Sequence, residues 1–393
     1  MEEHEQRRRT KRNEQRTSHS PGVDGGLPEP GDDGDWRVAG AEDGDTTGAR
    51  DGDRGLWFRA SGSAAKAIRN LLPRKLDPPD TFNKVAAATL ALTEFQHVSR
   101  VGEMRGHSAL LSALVERWRP DSHTFHLPVG KVTVTLEDVS YILGLPINGE
   151  AVTGRSDSNH EFLVENCIAC FGREPGPDDH VFGKLHIAWV RRCRDSEPCD
   201  TQESLERYVR AHIFCVLGTI VFLDKSTVSL NSKFLPLLQN FHRISGYNWR
   251  AGSLAHLYRS LCCASRYNCK KMDDPLILLF VWAWERMPFL APIPRDQLGD
   301  VGIPLARRYR LLSLSLLLLL LLLLLLLLLW SHWRRHTRYI RRSTAHFRRG
   351  LDDMGVDDFI WRPYMGVGIP DVLAPHLVLC STQSPLVSFE CIE

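Results

Sequence analysis

Residues 311–329 constrain this chain more than any other segment, because seventeen of these nineteen residues are leucine. Only Ser313 and Ser315 interrupt the run. As a helix the tract would extend roughly 28 Å, about the thickness of the hydrocarbon core of a bilayer. Each leucine near the centre of a membrane favours insertion by about 0.5 kcal/mol. Taken on its own, the tract therefore predicts a single transmembrane helix.

The sequence on either side of the tract supports a different interpretation. The preceding IPLARR and the following WSHWRR would form one basic, water-soluble segment if they were joined directly. A pure leucine run also lacks the aromatic belts and small-residue faces that are typical of packed spans. Pyrimidine-rich triplets, such as those that precede a splice acceptor, would translate as polyleucine. We therefore favour a retained intron fragment within a water-soluble domain, and the single-pass membrane protein is the alternative.

The N-terminal part of the chain has the composition of a disordered tail. Its first 55 residues hold fourteen acidic and nine basic side chains and almost no large apolar groups. Burial could not offset the entropy lost on ordering such a segment. We predict a disordered charged tail over residues 1–75 and one folded domain over residues 76–393, interrupted at 311–329. The chain stops at FECIE, within a predicted strand, which favours a domain truncated at its C-terminus.

A compact basic run lies within this tail. Its cations are Arg7, Arg8, Arg9, Lys11 and Arg12. Such a run is typical of a nuclear import signal, since an acid-lined receptor groove can hold several cations in an extended chain. The alternative is a cluster of solvated charges without a receptor. No apolar signal peptide opens the chain and ten cysteines are too few for a disulfide scaffold, which indicates an intracellular protein with reduced thiols. We expect a nuclear location.

The hydrophobic pattern predicts a mainly α fold, a single large helical domain with a small β-hairpin. Predicted helices cover residues 108–118, 136–143, 205–223, 235–241, 253–263 and 276–284, and the last is apolar all round, as a central core helix would be. Residues 124–134 predict the hairpin. Thr135 and Asp138 form a capping-box pattern, and Gly144 supplies a left-handed C-cap. A looser helical stripe over residues 82–98 predicts that Val85, Leu92 and Phe95 are buried.

Two cysteines and two acidic pairs invite a metal-site interpretation. Cys167 and Cys170 form the one CxxC motif, but no second close pair completes four zinc ligands. We expect two buried thiols. The pairs Asp352-Asp353 and Asp357-Asp358 could belong to a nuclease of a mobile element, although acidic pairs on one loop are more often solvated turn residues. We expect no bound metal and no cofactor.

Residues 330–349 form the strongest candidate binding segment. They hold seven arginines, three histidines, two tryptophans and no acid. Basic groups interleaved with aromatic rings can contact phosphates and stack on bases. The alternative is a helix whose arginines face solvent while Trp333, Ile340 and Phe347 pack inward. The candidate nucleic-acid or partner contacts are Arg334, Arg335, Arg338, Arg341, Arg342, Arg348 and Arg349.

Motifs of the common enzyme classes are absent from the sequence. It contains no GxxxxGK[ST], GxSxG, HExxH or dinucleotide GxGxxG motif. The GDxHG, GDxxDRG and GNHE motifs of metallophosphatases are absent as well. We therefore predict a protein without enzymatic activity, with a degenerate enzyme of a mobile element as a further alternative.

Five segments of the chain are distinctive as a set. They are residues 102–107 (GEMRGH), 124–154 (TFHLPVGKVTVTLEDVSYILGLPINGEAVTG), 247–249 (YNW), 282–285 (WAWE) and 360–364 (IWRPY). Together they resemble the plant mobile domain, a family once labelled aminotransferase-like that includes the maintenance-of-meristems, or MAIN-like, proteins and transposon-encoded relatives. We call these five segments the signature segments. The resemblance spans about residues 75–393 without the leucine tract.

This resemblance implies a mostly helical nuclear domain with a role in meristem maintenance and transposon silencing. It implies protein partners, in some members a phosphatase that carries the same domain, and it leaves DNA or chromatin as a further partner class. The aminotransferase label has no support here, because no lysine lies in a recognisable pyridoxal-phosphate context. We expect a membrane association only if the leucine tract is translated in the native protein.

Overall fold

The computed structural model describes residues 82–392 apart from 103, 105, 147–148, 156–158, 224–228, 267–271, 273–274, 300–301, 310–338, 340, 372, 376–385 and 390. All of the described residues belong to one unit, Ser63–Glu393. The leucine tract, the basic run of residues 7–12 and the predicted tail lie outside the described residues.

The predicted fold class is confirmed, since helices dominate and the sheets are small and antiparallel. The α-helices are α1 (Ala87–Ala91), α2 (Ser108–Val115), α3 (Leu136–Leu143), α4 (His160–Phe171), α5 (Ile187–Asp195), α6 (Gln202–Val216), α7 (Pro236–Gln239), α8 (Trp249–Ala264), α9 (Leu276–Arg286) and α10 (Thr344–Asp352). The strands are β1 (Trp118–Arg119), β2 (Thr124–Leu127), β3 (Gly130–Val132), β4 (His180–Val181), β5 (Lys184–His186), β6 (Ser229–Asn231), β7 (Val387–Ser388) and β8 (Cys391–Ile392). They form the sheets β1-β2-β3, β4-β5-β6 and β7-β8.

The predicted helix–hairpin–helix unit of residues 108–146 is confirmed. Strands β2 and β3 pair with Phe125 opposite Val132. Thr135 and Asp138 form the capping box at the start of α3. That helix ends at Gly144, whose φ of +71° is a left-handed conformation that glycine adopts without strain. The local signals in the sequence therefore determine this unit.

Helix α2 is shorter than predicted, because Trp118 belongs to a strand. Its partner in β2 is Phe125, and the two ring centroids lie 4.8 Å apart. Phe125 stacks in turn on Trp282 of α9, at 5.0 Å. Burial of Trp118 against the hairpin, and not against its own helix, explains why the prediction placed it one element too early.

The prediction for residues 82–98 is wrong in part. Only the short helix α1 and single turns form there, and Glu94 takes a φ of +62° that ends the helical path. Val85 and Leu92 are exposed, whereas Phe95 is buried as predicted. The turn changes which face of the segment packs against the domain. The buried side chains of the segment are Ala86, Thr89, Leu90, Thr93, Phe95, His97 and Val98.

Helix α9 is the centre of the core, as its composition predicts. Every residue from Leu276 to Arg286 is buried. Helix α6 also follows the prediction, although it begins at Gln202 and continues as a π-helical turn over Leu217–Val221. None of the described helices is long and apolar enough to cross a membrane.

Candidate interaction surface

Two of the signature segments, 124–154 and 360–364, meet in the interior around Asp138 together with Arg286, the residue that follows the WAWE segment. The Asp138 carboxylate is not accessible to solvent. Arg286 Nη2 and the Tyr364 hydroxyl donate to Asp138 Oδ1 over 2.8 and 2.6 Å. The backbone N–H and the hydroxyl of Thr135 donate to Oδ2 over 2.7 and 2.8 Å. We call Thr135, Asp138, Arg286 and Tyr364 the buried polar cluster. Both oxygens of its carboxylate are hydrogen-bonded, which is the condition for burying a charge.

The buried polar cluster also attaches the C-terminal part of the domain. The Ile360 N–H donates to the Arg286 carbonyl over 2.8 Å, and Arg286 Nη1 donates to the Trp361 carbonyl over 2.9 Å. The ring of Tyr364 stacks on Tyr141 of α3 at 4.4 Å. These contacts join α3, α9 and residues 360–364, which are up to 226 positions apart in the chain.

Electrostatics keeps this cluster in a paired state. Burial and then the Asp138 carboxylate raise the pKa of Tyr364 well above its ordinary value, so its hydroxyl stays a donor. Burial opposes the charge on Arg286, but Asp138 and Tyr364 outweigh it and the pKa of Arg286 is raised. Arg286 therefore keeps its positive charge and Tyr364 keeps its hydroxyl proton beside the carboxylate.

A second buried ion pair lies beside the first. Glu285 of the WAWE segment is 1% exposed and accepts from Arg308 Nη1 and from the Tyr309 hydroxyl, both over 3.3 Å. Burial and then Glu285 raise the pKa of Tyr309. In the YNW segment, Trp249 is buried and donates through Nε1 to the Ile244 carbonyl over 2.7 Å. These signature side chains hold the domain together from within.

The GEMRGH segment joins the interior in the same way. His107 caps α2 by accepting from the Ala109 N–H at Nδ1, so its Nε2 donates to the Tyr339 carbonyl, 3.0 Å away. The His107 ring also packs on Phe347 of α10 at 4.8 Å. Residue Tyr339 and α10, which belong to the basic segment, therefore attach to the start of α2.

The predicted pair of buried thiols is confirmed. Cys167 and Cys170 lie on α4 with no solvent exposure, and burial raises the pKa of Cys170 to about 12. A thiol in this state is a poor nucleophile and a poor metal ligand. Within the described part of the chain, no three His, Cys, Asp or Glu side chains are grouped to hold a metal ion.

This burial predicts a clear order of alkylation. In the native protein we expect iodoacetamide to modify the exposed Cys263 readily, and Cys167 and Cys170 only after unfolding, as peptide mass spectrometry would show. Equal rates at Cys170 and Cys263 would contradict the position of α4.

The candidate arginines of the basic segment do not form one continuous surface in the described structure. Arg334, Arg335 and Arg338 lie outside the described residues. Arg341 and Arg349 are exposed. Arg348 is held by the Glu116 carboxylate, with Nε 2.7 Å from Oε2, and Arg342 lies over the Tyr339 ring at 5.4 Å. Phe347 packs inward with no exposure, so α10 agrees with the alternative of a helix whose arginines face solvent. Trp333 and Ile340 lie outside the described residues.

The acidic pairs beside α10 have structural partners. Asp352 forms an ion pair with Arg117. Asp358 accepts from the Gly355 N–H over 2.8 Å and so caps a short 3₁₀ turn. The contacts of Asp352 and Asp358 agree with the interpretation that these pairs are turn residues. They do not bring two carboxylates together as a metal site would require.

A cationic group on the β1-β2-β3 sheet was missed by the sequence reasoning. Arg119, His126 and Lys131 occupy one strand each and share the face opposite Phe125. We call these three residues the cationic face. The predicted hairpin already contained the signal. Successive side chains of a strand point to opposite faces of the sheet, so His126 and Lys131 lie on the face opposite Phe125 and Leu127.

An open groove lies beside the hairpin of β4 and β5. It has a volume of about 510 Å³, and its lining is His160, Glu174, Pro175, Gly176, Pro177 and His180. At the tip of the hairpin, Phe182 is 92% exposed and has a φ of +48°. A bulky residue seldom adopts this left-handed conformation, so turn formation alone does not explain a phenylalanine there.

Comparison with known proteins agrees with the resemblance of the signature segments. The plant mobile domain model matches residues 94–393. The chain is 35% identical over 305 residues to the Serine/threonine-protein phosphatase 7 long form homolog of Arabidopsis thaliana, across 72% of this chain and 20% of that relative. It is 29% identical to Protein MAIN-LIKE 1 and 27% identical to Protein MAINTENANCE OF MERISTEMS from the same plant, across 76% and 79% of this chain.

These matches cover only part of each relative, namely 20%, 54% and 60% of their respective lengths. No solved structure matches the chain. The family match nevertheless includes all five signature segments, and it spans the buried polar cluster. On this basis the chain belongs to the plant mobile domain family.

Proposed function

We propose that the chain is a non-enzymatic interaction module of a nuclear protein, with the role in meristem maintenance and transposon silencing that its resemblance to MAIN-like proteins implies. One observation carries the proposal: Asp138 and Glu285, two acidic groups of the signature segments, are buried in ion pairs. Asp138 and Glu285, at most 1% exposed, are saturated with intramolecular donors. Such groups stabilise a fold and cannot reach a substrate, which leaves the surface to carry the function.

The hairpin tip favours a protein as the partner. Aromatic residues that protrude into solvent are frequent binding hot spots, and Phe182 stands beside an open groove lined by two prolines and two histidines. One relative that is similar to this chain over 305 residues is named as a phosphatase. We therefore propose a phosphatase with the same domain as one partner class.

Substitution of Phe182 tests this proposal directly. We expect Phe182→Asp to lower co-purification of partners from plant nuclei at least about tenfold, the size of effect that a hot spot produces. Val85→Asp is the matched control, because Val85 is also exposed and apolar at 63%. Equal partner recovery with both variants would exclude the hairpin tip as the binding site.

The nuclear location has its own test. A fluorescent fusion in which Arg7, Arg8, Arg9, Lys11 and Arg12 are all alanine should lose nuclear accumulation in plant cells, since the import receptor needs consecutive cations. Substituting Arg16, Arg37, Arg50 and Arg54 removes dispersed cations from the same tail and is the control. Unchanged nuclear signal in the first variant would contradict the import function of the run.

The leucine tract is the specific observation behind the alternative of a single-pass membrane protein. Sequencing the mature transcript across residues 303–335 decides whether the leucines are translated. If they are, carbonate extraction of tagged native protein distinguishes a membrane pool from a nuclear pool. Carbonate-resistant protein would overturn the nuclear proposal.

A further inference from the structure

The cationic face brings three positive or titratable groups together on an exposed sheet. Arg119 lies on β1, His126 on β2 and Lys131 on β3, and His126 is directly opposite Lys131 in the register. Directly paired residues have Cβ atoms about 5 Å apart. Neighbouring strands are about 4.8 Å apart, so the group extends about 10 Å across the sheet.

These side chains repel one another. Burial lowers the pKa of His126, and the positive charges of Arg119 and Lys131 lower it further. Like charges opposite one another destabilise a sheet. A bound anion would stabilise this arrangement, because each cation would then be attracted to the anion.

Among the described residues, no acid is paired with these side chains to offset their repulsion. No ion pair joins Arg119, His126 or Lys131 to an acid of the described residues. Glu116, which precedes β1, holds Arg348 with its carboxylate. Its backbone carbonyl accepts from Arg119 Nη1 over 3.2 Å, which orients the guanidinium.

Helix α10 contacts the residues that precede β1, where Arg348 is paired with Glu116 and Asp352 with Arg117. Arg348 lies beside β1 through its contact with Glu116, and Arg349, the next residue, is exposed. Thr124 supplies a hydroxyl on the same face as Arg119, its partner in the register. Asp121 is exposed in the turn between β1 and β2 and is the one acid of that turn.

We propose that the cationic face binds the phosphate backbone of duplex DNA. The face presents two cations, one imidazole and a hydroxyl but no Phe, Tyr or Trp side chain, so it suits phosphates and not bases, and binding should be independent of sequence. This inference deepens the proposed nuclear role by naming a second partner class. It involves neither Phe182 nor the groove, so the two surfaces can be tested separately.

Salt dependence of binding by the purified full-length chain tests this inference. Fluorescence anisotropy with a labelled 20-base-pair duplex between 50 and 200 mM salt should give a slope of log K against log salt of about −1.8, for one phosphate contact each by Arg119 and Lys131. In the double variant Arg119→Ser, Lys131→Ser, we expect the slope to become shallower by about 1.8 and the affinity at 50 mM salt to fall at least about tenfold.

The control variant removes the same charge elsewhere. Lys84→Ser, Arg100→Ser changes two exposed cations on another part of the domain and should leave the slope unchanged. Equal losses in both variants, or no binding by the unaltered chain, would overturn the proposal. Tighter binding to poly-glutamate than to DNA of equal charge would assign the face to an acidic protein instead. None of these outcomes alters the partner test at Phe182.

Discussion

Asp138→Asn is expected to lower the free energy of unfolding by about 3–5 kcal/mol, the cost of leaving one member of a buried ion pair without its partner. The amide keeps the size of the side chain but removes the charge that Arg286 and Tyr364 face in the interior. Arg286 is 9% exposed, so water cannot replace the lost carboxylate. Urea denaturation of the full-length chain, followed by tryptophan fluorescence, measures the difference.

Two further variants separate a specific effect from a general loss of charge. Glu137→Gln removes the same charge one residue away, where the side chain is exposed, and should change stability by less than about 0.5 kcal/mol. The double variant Asp138→Asn, Arg286→Met should recover part of the loss, since removing both charges relieves the unpaired one. A change below about 1 kcal/mol in Asp138→Asn would contradict the buried polar cluster.

Residues 108–146 show which parts of this fold can be predicted from sequence. Their helix starts, the hairpin turn and the stop at Gly144 depend on side chains within four residues of one another. Such local rules operate before any tertiary contact forms. The same reasoning failed at Trp118, because a strand of two residues gains its stability from contacts with Phe125 and Tyr258. The pattern of apolar residues around Trp118 does not indicate these partners.

The function of the signature segments could not be predicted in this way. Asp138 was expected only as a capping residue, and it performs that role. Its other partners, Arg286 and Tyr364, are 148 and 226 positions away, and no periodicity connects them. The resemblance marked these segments as belonging to a family, whereas the structure shows the physical reason: each supplies one part of a shared interior.

The basic segment demonstrates the opposite error. Its composition suggested a continuous binding surface, yet Arg348 is occupied by Glu116 and Phe347 by His107. Counting charges along the chain overlooks which of them are paired through space. The cationic face, by contrast, comes from residues that are separated by seven and five positions and adjoin only after the strands pair.

Gly149→Ala tests the contact between another signature residue and the start of α8. A Cβ atom at Gly149 would lie 2.0 Å from the Gly246 carbonyl oxygen and 2.5 Å from its carbon. The residue also has a φ of +110°, which side chains rarely allow. The adjoining Glu150 N–H donates to the same carbonyl over 2.8 Å, so relief of the clash would break a hydrogen bond between the two segments.

We therefore expect Gly149→Ala to reduce the free energy of unfolding by about 2–5 kcal/mol, from backbone strain together with overpacking. Gly154→Ala is the matched control in the same segment: its nearest atom would be Leu237 Cδ2 at 3.8 Å, an ordinary contact, and its effect should stay within about 0.5 kcal/mol. If both variants unfolded at the same urea concentration, the approach of Gly149 to Gly246 would be wrong. A selective loss in Gly149→Ala would show that this signature glycine is required for the fold, as Asp138 is at the opposite end of the same segment.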